Sequence, residues 1–222
     1  MPLRGGAAVR IGLTGAQSVG KSTLAREISK RLGLPLIEEQ ARVVVGDLGI
    51  ERPCNLKGRP QLSKRFQWEC LMRQIEVEKQ LNAFIADRTV MDNAAYWIKW
   101  RSGRSSSRDN LDYYLECEKH SRSYDLVFYL PPEIPLYANG FRSTNAEYRD
   151  EMDWLIRTVV RGLIEPSRLA ELSGTLEERV ERVLALVEKV WEDGSIRAGV
   201  PAMPVNYAVP PPTGIEDPPE RM

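Results

Sequence analysis

The chain has 222 residues, a length that accommodates one sizeable α/β domain with at most a small appendage. Its 31 basic residues balance its 31 acidic residues, so the net charge gives no indication of a nucleic-acid partner, although a local basic site stays open. The three cysteines are widely spaced, the opening MPLRGG has no signal-peptide pattern, and no apolar run approaches the roughly 18 residues of a membrane span. We therefore expect a cytoplasmic protein with no membrane partner, and the composition leaves a homo-oligomer open.

Strand-like and helix-like segments alternate from the start of the chain. A short buried strand at 8–14 (AVRIGLT) precedes a loop and a helix at 21–33, whose apolar residues lie on one face. A second strand at 34–39 ends in two acids, and the segment 41–49 is predicted to be helical. Two prolines and a glycine in 50–60 predict a loop.

The alternation continues to residue 192. The predicted elements are a helix at 61–81, a strand at 83–89, a helix at 90–101, a basic loop at 102–108, a helix at 109–120, a strand at 124–131, a loop that becomes a helix at 135–153, a strand at 168–174 and a helix at 175–192. This order predicts an α/β fold with a doubly wound, mainly parallel five-stranded sheet and helices on both faces. We expect one domain over 1–192 and a proline-rich extended tail over 193–222.

The stretch GAQSVGKS matches the phosphate-loop pattern GxxxxGK[ST] and has the required strand before it and helix after it. Gly15 and Gly20 let the backbone turn so that its N–H groups face one point, and the helix dipole points to the same place. Lys21 would reach the β- and γ-phosphates and Ser22 would bind Mg²⁺, so we expect ATP and Mg²⁺ as cofactors of a P-loop NTPase. The alternative is a tight glycine turn that only begins a helix. The predicted cofactor-binding residues are Gly15, Ala16, Gln17, Ser18, Val19, Gly20, Lys21, Ser22 and Thr23.

Three classes of phosphate-loop protein then compete: a phosphotransferase, a GTPase switch and a mechanochemical ATPase. A GTPase needs a guanine-binding NKxD motif, and the nearest stretch, STNAE, lacks both the lysine and the aspartate. The large ATPases need sensor elements and usually a helical lid domain, for which the chain is short. Size and the missing motifs therefore favour a kinase.

A kinase must also orient an acceptor hydroxyl and remove its proton, and the carboxyl ends of parallel strands are where such groups lie. Glu39, the second of two acids at the end of the second strand, is the candidate base, with Arg42 as a partner for substrate charge. Asp87 at the end of the third strand could hold Mg²⁺ or act as the base itself, with Arg88 directed at a phosphate; Asp92 could replace Asp87. The alternative role for both groups of acids is capping of the helix that follows.

The segment NGFRSTNAEYRDEMD has the composition of a small basic lid. Gly140 would allow a hinge, and Arg142 and Arg149 flank a polar loop. Closure of such a loop excludes water and strengthens the field of its arginines. A solvated surface loop with ordinary arginines is the alternative.

Aromatic and basic residues after the third strand bear on the acceptor. Tyr96, Trp97 and Trp100 could stack on a planar base, although aromatic residues at helical spacing more often pack in a core. The loop with Arg101, Arg104 and Arg108 could contact a polynucleotide backbone, or it could be solvated.

The single histidine, His120, is interpreted as a solvated residue at a helix end. A role in catalysis or metal binding is the less favoured alternative. The acid–base chemistry of an enzyme with this sequence would then belong to carboxylates.

The motifs GAQSVGKST, EEQAR, ADRTVMDNAAYW, YDLVFYLPPEIP and NGFRSTNAEYRDEMD together resemble the ribosylnicotinamide kinase domain of the bifunctional NAD-biosynthesis regulator and the related P-loop ATPase/kinase group. The resemblance spans about residues 8–190. The family pattern Glu-x-Ala-Arg matches Glu39, Ala41 and Arg42, whereas Asn139 stands where the family lid has aspartate. The resemblance implies a nucleoside-like acceptor such as ribosylnicotinamide or a (deoxy)nucleoside or nucleotide.

The sequence thus predicts an ATP- and Mg²⁺-dependent phosphotransferase acting on a hydroxyl of a nucleoside-like acceptor. Two alternatives stay open: a non-kinase ATP-binding regulator that works with a protein partner, and a kinase of a DNA hydroxyl group. The expected metal ligands are Ser22 and Asp87. The expected catalytic residues are Lys21, Glu39, Asp87, Arg88, Arg142 and Arg149.

Overall fold

The computed structural model describes residues 8–51, 53–135 and 145–192. The predicted lid arginine Arg142, together with Asn139 and Gly140, lies outside the described residues, as does the tail 193–222. The boundary between the predicted domain and the tail therefore stays a prediction.

One five-stranded sheet organises the described residues. Its strands run in the order β2-β3-β1-β4-β5, and each described pairing is parallel. Because parallel neighbours need crossover connections, helices fall on both faces, and the predicted doubly wound α/β P-loop fold is confirmed. The strands are β1 (Arg10–Thr14), β2 (Leu36–Ile37), β3 (Phe84–Asp87), β4 (Leu126–Tyr129) and β5 (Leu169–Glu171).

Helices cover the two faces of the sheet with separate apolar cores. The helices are α1 (Lys21–Leu32), α2 (Gln40–Asp47), α3 (Pro60–Lys79), α4 (Val90–Trp100), α5 (Ser107–Ser121), α6 (Ala146–Leu163) and α7 (Leu176–Glu192). One core joins the sheet to α1 and α7, and the other joins it to α3, α4, α5 and α6. Short 3₁₀ turns occur at Pro53–Leu56, Ser102–Arg104 and Pro166–Arg168. No described helix is both long and apolar enough to cross a membrane.

The side chains of β1 alternate between the two faces of the sheet, and this alternation explains where the phosphate loop lies. Ile11 and Leu13 point into the core with α1 and α7, whereas Gly12 points to the opposite face. A Cβ built on Gly12 would lie 2.5 Å from the methyl carbon of Thr89, so only glycine lets the start of α4 approach the sheet this closely. The carboxyl ends of β1 and β3 are thereby held side by side, with Leu13 opposite Asp87 in the register.

All five strands are shorter in the structure than the sequence predicts, and two of these differences affect the residues of the predicted site. The strand predicted over 34–39 is only Leu36–Ile37, and Glu39 already caps α2 with its backbone. The strand predicted over 83–89 ends at Asp87, because Arg88 has a φ of +93°, which no strand residue adopts. Both shortenings move acidic and basic side chains out of the sheet and into the loops at its carboxyl edge.

The interpretation of His120 as a solvated residue is wrong. His120 is only 7% exposed, and its ring Nε2 lies 2.6 Å from the carboxylate of Glu78, which is completely buried on α3. Glu78 also accepts a hydrogen bond from the hydroxyl of Tyr124 at 2.8 Å. The last turn of α5 lies beneath neighbouring elements, a tertiary contact that the polar local sequence cannot indicate.

The core-packing alternative holds for Trp97. Its ring is 3% exposed and stacks on Tyr113, with ring centroids 4.1 Å apart and an interplanar angle of 16°. Trp68 packs edge-on against both rings. Trp97 therefore stabilises the α4–α5 interface and is not available for stacking on a ligand.

Candidate active site

The phosphate loop between β1 and α1 has the backbone that its glycines allow. Gly15 has a φ of +138° and Gly20 one of +91°, and Ser18 has a positive φ of 62°. A Cβ at Gly15 would lie 2.5 Å from the main-chain oxygen of Leu130, so the loop packs directly against the end of β4. Gly15 is thus required both by conformation and by space.

Lys21 lies inside the curve of this loop. Its side chain is buried, and its Nζ donates hydrogen bonds to the carbonyl oxygens of Gly15 at 2.7 Å and Ala16 at 2.5 Å. An ammonium group held among main-chain oxygens and backbone N–H groups is suited to compensate phosphate charge. The phosphate-binding role of Lys21 stays a prediction.

Asp87 lies at the carboxyl end of β3, next to the phosphate loop. It is 6% exposed, and among the described residues no hydrogen bond or ion pair reaches its carboxylate. It lines the same cleft as Ser22. A hydroxyl and a carboxylate on one cleft suit Mg²⁺, which binds one or two protein oxygens and takes its other ligands from phosphates and water. The described residues offer no group of three or more His, Cys, Asp or Glu side chains that would hold a metal without a nucleotide.

Glu39 is buried at the start of α2 and held by two arginines. Arg88 Nε donates to Glu39 Oε1 at 2.5 Å, and Arg42 Nε donates to Glu39 Oε2 at 3.0 Å. The side chains of Arg88 and Glu39 are 11% and 7% exposed, whereas that of Arg42 is 49% exposed. The Glu39 side chain makes no capping bond to α2, so the capping alternative does not apply to it.

Arg88 joins this carboxylate to the next helix. Its Nη1 donates to Asp92 Oδ1 at 3.1 Å. Burial alone would lower the pKa of Arg88, but the carboxylates of Glu39 and Asp92 offset this and raise the pKa above its ordinary value. The guanidinium thus stays charged in a buried position.

Asp92 acts as a cap, and the structure does not place it as a substitute for Asp87. Its Oδ2 accepts from the backbone N–H of Thr89 at 3.0 Å and from the Thr89 hydroxyl at 2.9 Å. These bonds form a capping box at the start of α4. The capping alternative therefore applies to Thr89 and Asp92, and not to Asp87 and Arg88.

A small open cleft of about 30 Å³ borders groups predicted for the donor and the acceptor sides of the site. Residues of the phosphate-loop helix face residues that follow β2 and β3 across it. Its lining includes Arg26, Leu36 and Glu38, which the sequence analysis did not single out for this site. The lining residues are Ser22, Arg26, Leu36, Glu38, Glu39, Arg42 and Asp87.

Aromatic side chains extend from Arg88 towards α6. The guanidinium carbon of Arg88 lies 5.4 Å from the ring centroid of Tyr96. Trp100 is 40% exposed, and its indole N–H donates to the hydroxyl of Tyr148 at 3.3 Å. Tyr96 is therefore partly buried beside Arg88 and Trp100 is exposed, whereas Trp97 is enclosed in the core.

Arg149 lies near the phosphate loop through its contact with Ile134. Its Nη1 donates to the carbonyl of Ile134 at 2.8 Å, and the side chain of Ile134 lies 3.1 Å from a Cβ built on Gly20. Arg149 thus contacts the segment beside the phosphate loop and does not line the cleft with Glu39.

The predicted basic loop does not present a uniform row of arginines. Arg101 is 4% exposed, Arg104 Nη1 donates to the carbonyl of Trp100 at 3.3 Å, and Arg108 pairs with Asp112 at 2.8 Å. Only the last two are exposed at the surface. This arrangement gives no specific support to a polynucleotide contact.

The sequence analysis missed Arg179, in the first turns of α7. Its side chain is 3% exposed and its Nη1 donates to the carbonyl of Val19, in the phosphate loop, at 2.8 Å. The signal in the sequence is weak: an arginine near the start of a helix, where the helix dipole disfavours positive charge.

Comparison with solved structures reveals the same fold in several kinases. A NadR protein in complex with NR has a TM-score of 0.64 at 18% identity, covering 82% of this chain and 51% of that one. A deoxyadenosine kinase of M. mycoides with dCMP and dCDP has a TM-score of 0.59 at 18% identity, covering 82% and 100%. A thymidylate kinase of Candida albicans has a TM-score of 0.55 at 14% identity, covering 82% and 92%.

These similarities show the fold, and they agree with the resemblance stated from the motifs. The chain spans about half the length of the NadR chain. The comparison with curated proteins finds no match. A family model described as an AAA domain matches residues 10–179, which include the phosphate loop, Glu39, Asp87 and Arg179. Because this match covers more than half of the 222 residues, the chain belongs to the AAA domain family.

Proposed function

We propose that the protein is an ATP- and Mg²⁺-dependent kinase that phosphorylates a hydroxyl of a nucleoside-like acceptor. The observation that carries this proposal is the shared cleft, in which Ser22 of the phosphate-loop helix faces Glu39 and Asp87. A protein that only binds a nucleotide needs no second carboxylate held by a buried arginine beside its phosphate loop. A phosphotransferase does need one.

The donor half of the site would bind the phosphates of ATP. Backbone N–H groups of residues 15–23 and the ammonium of Lys21 would hold the β- and γ-phosphates, and Ser22 and Asp87 would hold Mg²⁺. Bound there, Mg²⁺ would offset negative charge on the phosphate oxygens. Arg149, which contacts the main chain of Ile134 beside the loop, and Arg142, outside the described residues, are proposed to stabilise charge on the transferring group.

On the acceptor half, Glu39 is proposed as the base. Its contacts with Arg88 and Arg42 orient the carboxylate at the wall of the cleft. The acceptor oxygen would form the new bond to the γ-phosphorus as the bond to the bridging oxygen of ADP breaks, and Glu39 would take the hydroxyl proton. Arg88 would then act by holding Glu39, and not as the phosphate contact that the sequence predicts.

Two observations support a nucleoside-like acceptor. NadR is bound to NR and the deoxyadenosine kinase to dCMP and dCDP, so proteins of this fold bind such molecules. In this chain Tyr96 lies against Arg88, and Trp100 and Tyr148 lie farther along α4 and α6. Aromatic rings of this kind could stack on a planar base.

The proposal is tested by measuring ADP released from ATP, with and without a panel of nucleosides and nucleotides. Acceptor-stimulated ADP release with a phosphorylated product is the expected result. Slow hydrolysis that no acceptor stimulates, but that a protein partner changes, would instead indicate the regulator. Phosphorylation of a DNA end, with binding that weakens steeply as salt rises, would indicate the DNA kinase.

Lys21→Ala supplies the donor-side test. We expect turnover to fall by more than about 100-fold because the cationic group that compensates phosphate charge is gone. Lys30→Ala is the matched control, since Lys30 is an exposed lysine on the same helix. Equal turnover in both variants would show that the phosphate loop is not the donor site.

The roles of the two acids are separated by Glu39→Gln and Asp87→Asn. Both should lower kcat by roughly 100-fold or more. Only Asp87→Asn should also raise the Mg²⁺ concentration needed for half-maximal activity. The reverse pattern would assign the metal to Glu39 and the base to Asp87.

A further inference from the structure

The guanidinium of Arg179 links the phosphate loop to the segment that follows β4. Its Nη1 donates to the carbonyl oxygen of Val19 at 2.8 Å, across a sequence separation of 160 residues. Its Nη2 donates to Glu133 Oε2 at 2.9 Å. The same carboxylate oxygen accepts from the backbone N–H of Gly174 at 2.9 Å. The pKa of Glu133 is lowered by this backbone bond and by Arg179.

The bond to Val19 determines the direction of one phosphate-loop N–H group. Among the described residues all peptide bonds are trans, and in a trans peptide the carbonyl and the following N–H point in opposite directions. Arg179 holds the Val19 carbonyl on the outer side of the loop, beside Gly20, where a built Cβ would lie 3.4 Å from Nη1. The N–H of Gly20 therefore points away from Arg179, in the direction that a phosphate-loop N–H would need in order to meet a bound phosphate.

The position of Arg179 is electrostatically costly without such a role. A cation near the start of a helix opposes the helix dipole, and burial of a charge needs compensation. Arg179 is 3% exposed, and its Nε has no hydrogen-bond partner within the described part of the chain. Within the described ranges, the carboxylate that pairs with Arg179 is that of Glu133, which is 42% exposed and shared with Gly174.

We infer that Arg179 is a positioning residue of the donor site, which holds the Val19–Gly20 peptide so that the Gly20 N–H faces the β-phosphate of a bound nucleotide. Glu133 orients the guanidinium for this contact. The inference rests on the proposed donor role of the phosphate loop. It adds α7, an element that lines no part of the described cleft, to the groups that determine nucleotide affinity.

Binding of Mg·ADP, measured by titration calorimetry, tests the inference without requiring turnover. Arg179→Met should weaken Mg·ADP binding by roughly 10-fold, because a charge-assisted hydrogen bond that orients a phosphate donor is lost. Arg182→Met is the matched control, because Arg182 is exposed on the same helix, and it should bind within about 2-fold of the wild type. Arg179→Lys, which keeps one charged donor, should recover part of the affinity.

A second variant and a spectroscopic measurement separate positioning from general loss of structure. Glu133→Gln removes the negative charge beside Arg179 at a half-exposed position and keeps an amide oxygen that can accept from Gly174, and it should weaken Mg·ADP binding by roughly 2- to 5-fold. The β-phosphorus resonance of bound Mg·ADP should shift in Arg179→Met and stay unchanged in Arg182→Met.

The outcomes distinguish failure of the inference from failure of the proposed function. A wild-type protein that binds no Mg·ADP would refute the donor site and the inference with it. A wild type that binds, with Arg179→Met of equal affinity and unchanged β-phosphorus resonance, would refute the inference alone. If Arg179→Met does not fold, unaltered binding by Glu133→Gln would overturn it.

Discussion

Two arginines on one carboxylate provide a direct test of how burial changes the strength of an ion pair. The side chain of Glu39 is 7% exposed. It contacts Arg88, whose side chain is 11% exposed, and Arg42, whose side chain is 49% exposed. Arg88→Met would leave Glu39 without its buried partner, and it would remove one contact of Asp92, which is itself 1% exposed. Arg42→Met removes a partner that water already screens.

The expected magnitudes follow from that difference in exposure. Breaking a buried ion pair by removing one partner costs about 3–5 kcal/mol, so the free energy of unfolding of Arg88→Met should fall by that amount. A surface pair contributes about 0–1 kcal/mol, so Arg42→Met should stay within about 1 kcal/mol of the wild type. For a chain of this length the melting temperature should fall by roughly 6–20 °C in the first variant.

Urea unfolding followed by circular dichroism measures both values. The double variant Glu39→Gln/Arg88→Met should be more stable than the sum of the two single changes predicts, because it leaves one buried charge fewer without a partner. An Arg88→Met variant within about 1 kcal/mol of Arg42→Met would refute the argument, since burial would then make no difference to the pair.

Three further predictions concern the loop, the pH dependence and the thiols. Gly15→Ala should abolish Mg·ADP binding, because its Cβ would lie 2.5 Å from a main-chain oxygen. Gly33→Ala is also at positive φ but has open space around its Cβ, so it should lower the free energy of unfolding by about 1–2 kcal/mol and leave binding intact. Burial raises the pKa of the Asp153 carboxyl above its ordinary 3.8. The folded protein therefore binds this proton more tightly than the unfolded chain, and its free energy of unfolding falls as pH rises through the raised pKa. Asp153→Asn should therefore gain stability relative to the wild type from about pH 4 upward in urea titrations, and a constant difference across pH would contradict the shift. Burial also raises the pKa of the thiols of Cys70 and Cys117, so mass spectrometry should find both unmodified by iodoacetamide at pH 8 until the protein is unfolded.

The donor half of the site could be predicted because it is contiguous in the chain. Nine consecutive residues contain the glycines, the lysine and the hydroxyl, and the strand and helix around them have clear local patterns. The structure keeps this arrangement, with Gly15 and Gly20 at positive φ and α1 beginning at Lys21. The alternation of strands and helices likewise predicted the parallel sheet, since each element is defined by the periodicity of its own residues.

The acceptor half depends on which strands are neighbours. Glu39 and Arg88 are 49 residues apart in sequence, and they meet because β2 pairs with β3 in the sheet. The sequence predicts Arg88 as a phosphate contact, whereas its contact with Glu39 is visible only in the folded chain. Strand order is a property of the packed sheet and has no local signal.

The sequence by itself determined the phosphate loop, the α/β class and the candidate acids, because each rests on residues close together in the chain. Only the tertiary structure decided the long-range contacts. His120 is buried against Glu78, Trp97 packs in the core, and Arg179 donates to Val19 across 160 residues of sequence. The physical reason is that burial and ion pairing depend on the surfaces that elements present to one another, and these surfaces exist only after the sheet and its two helical layers have packed.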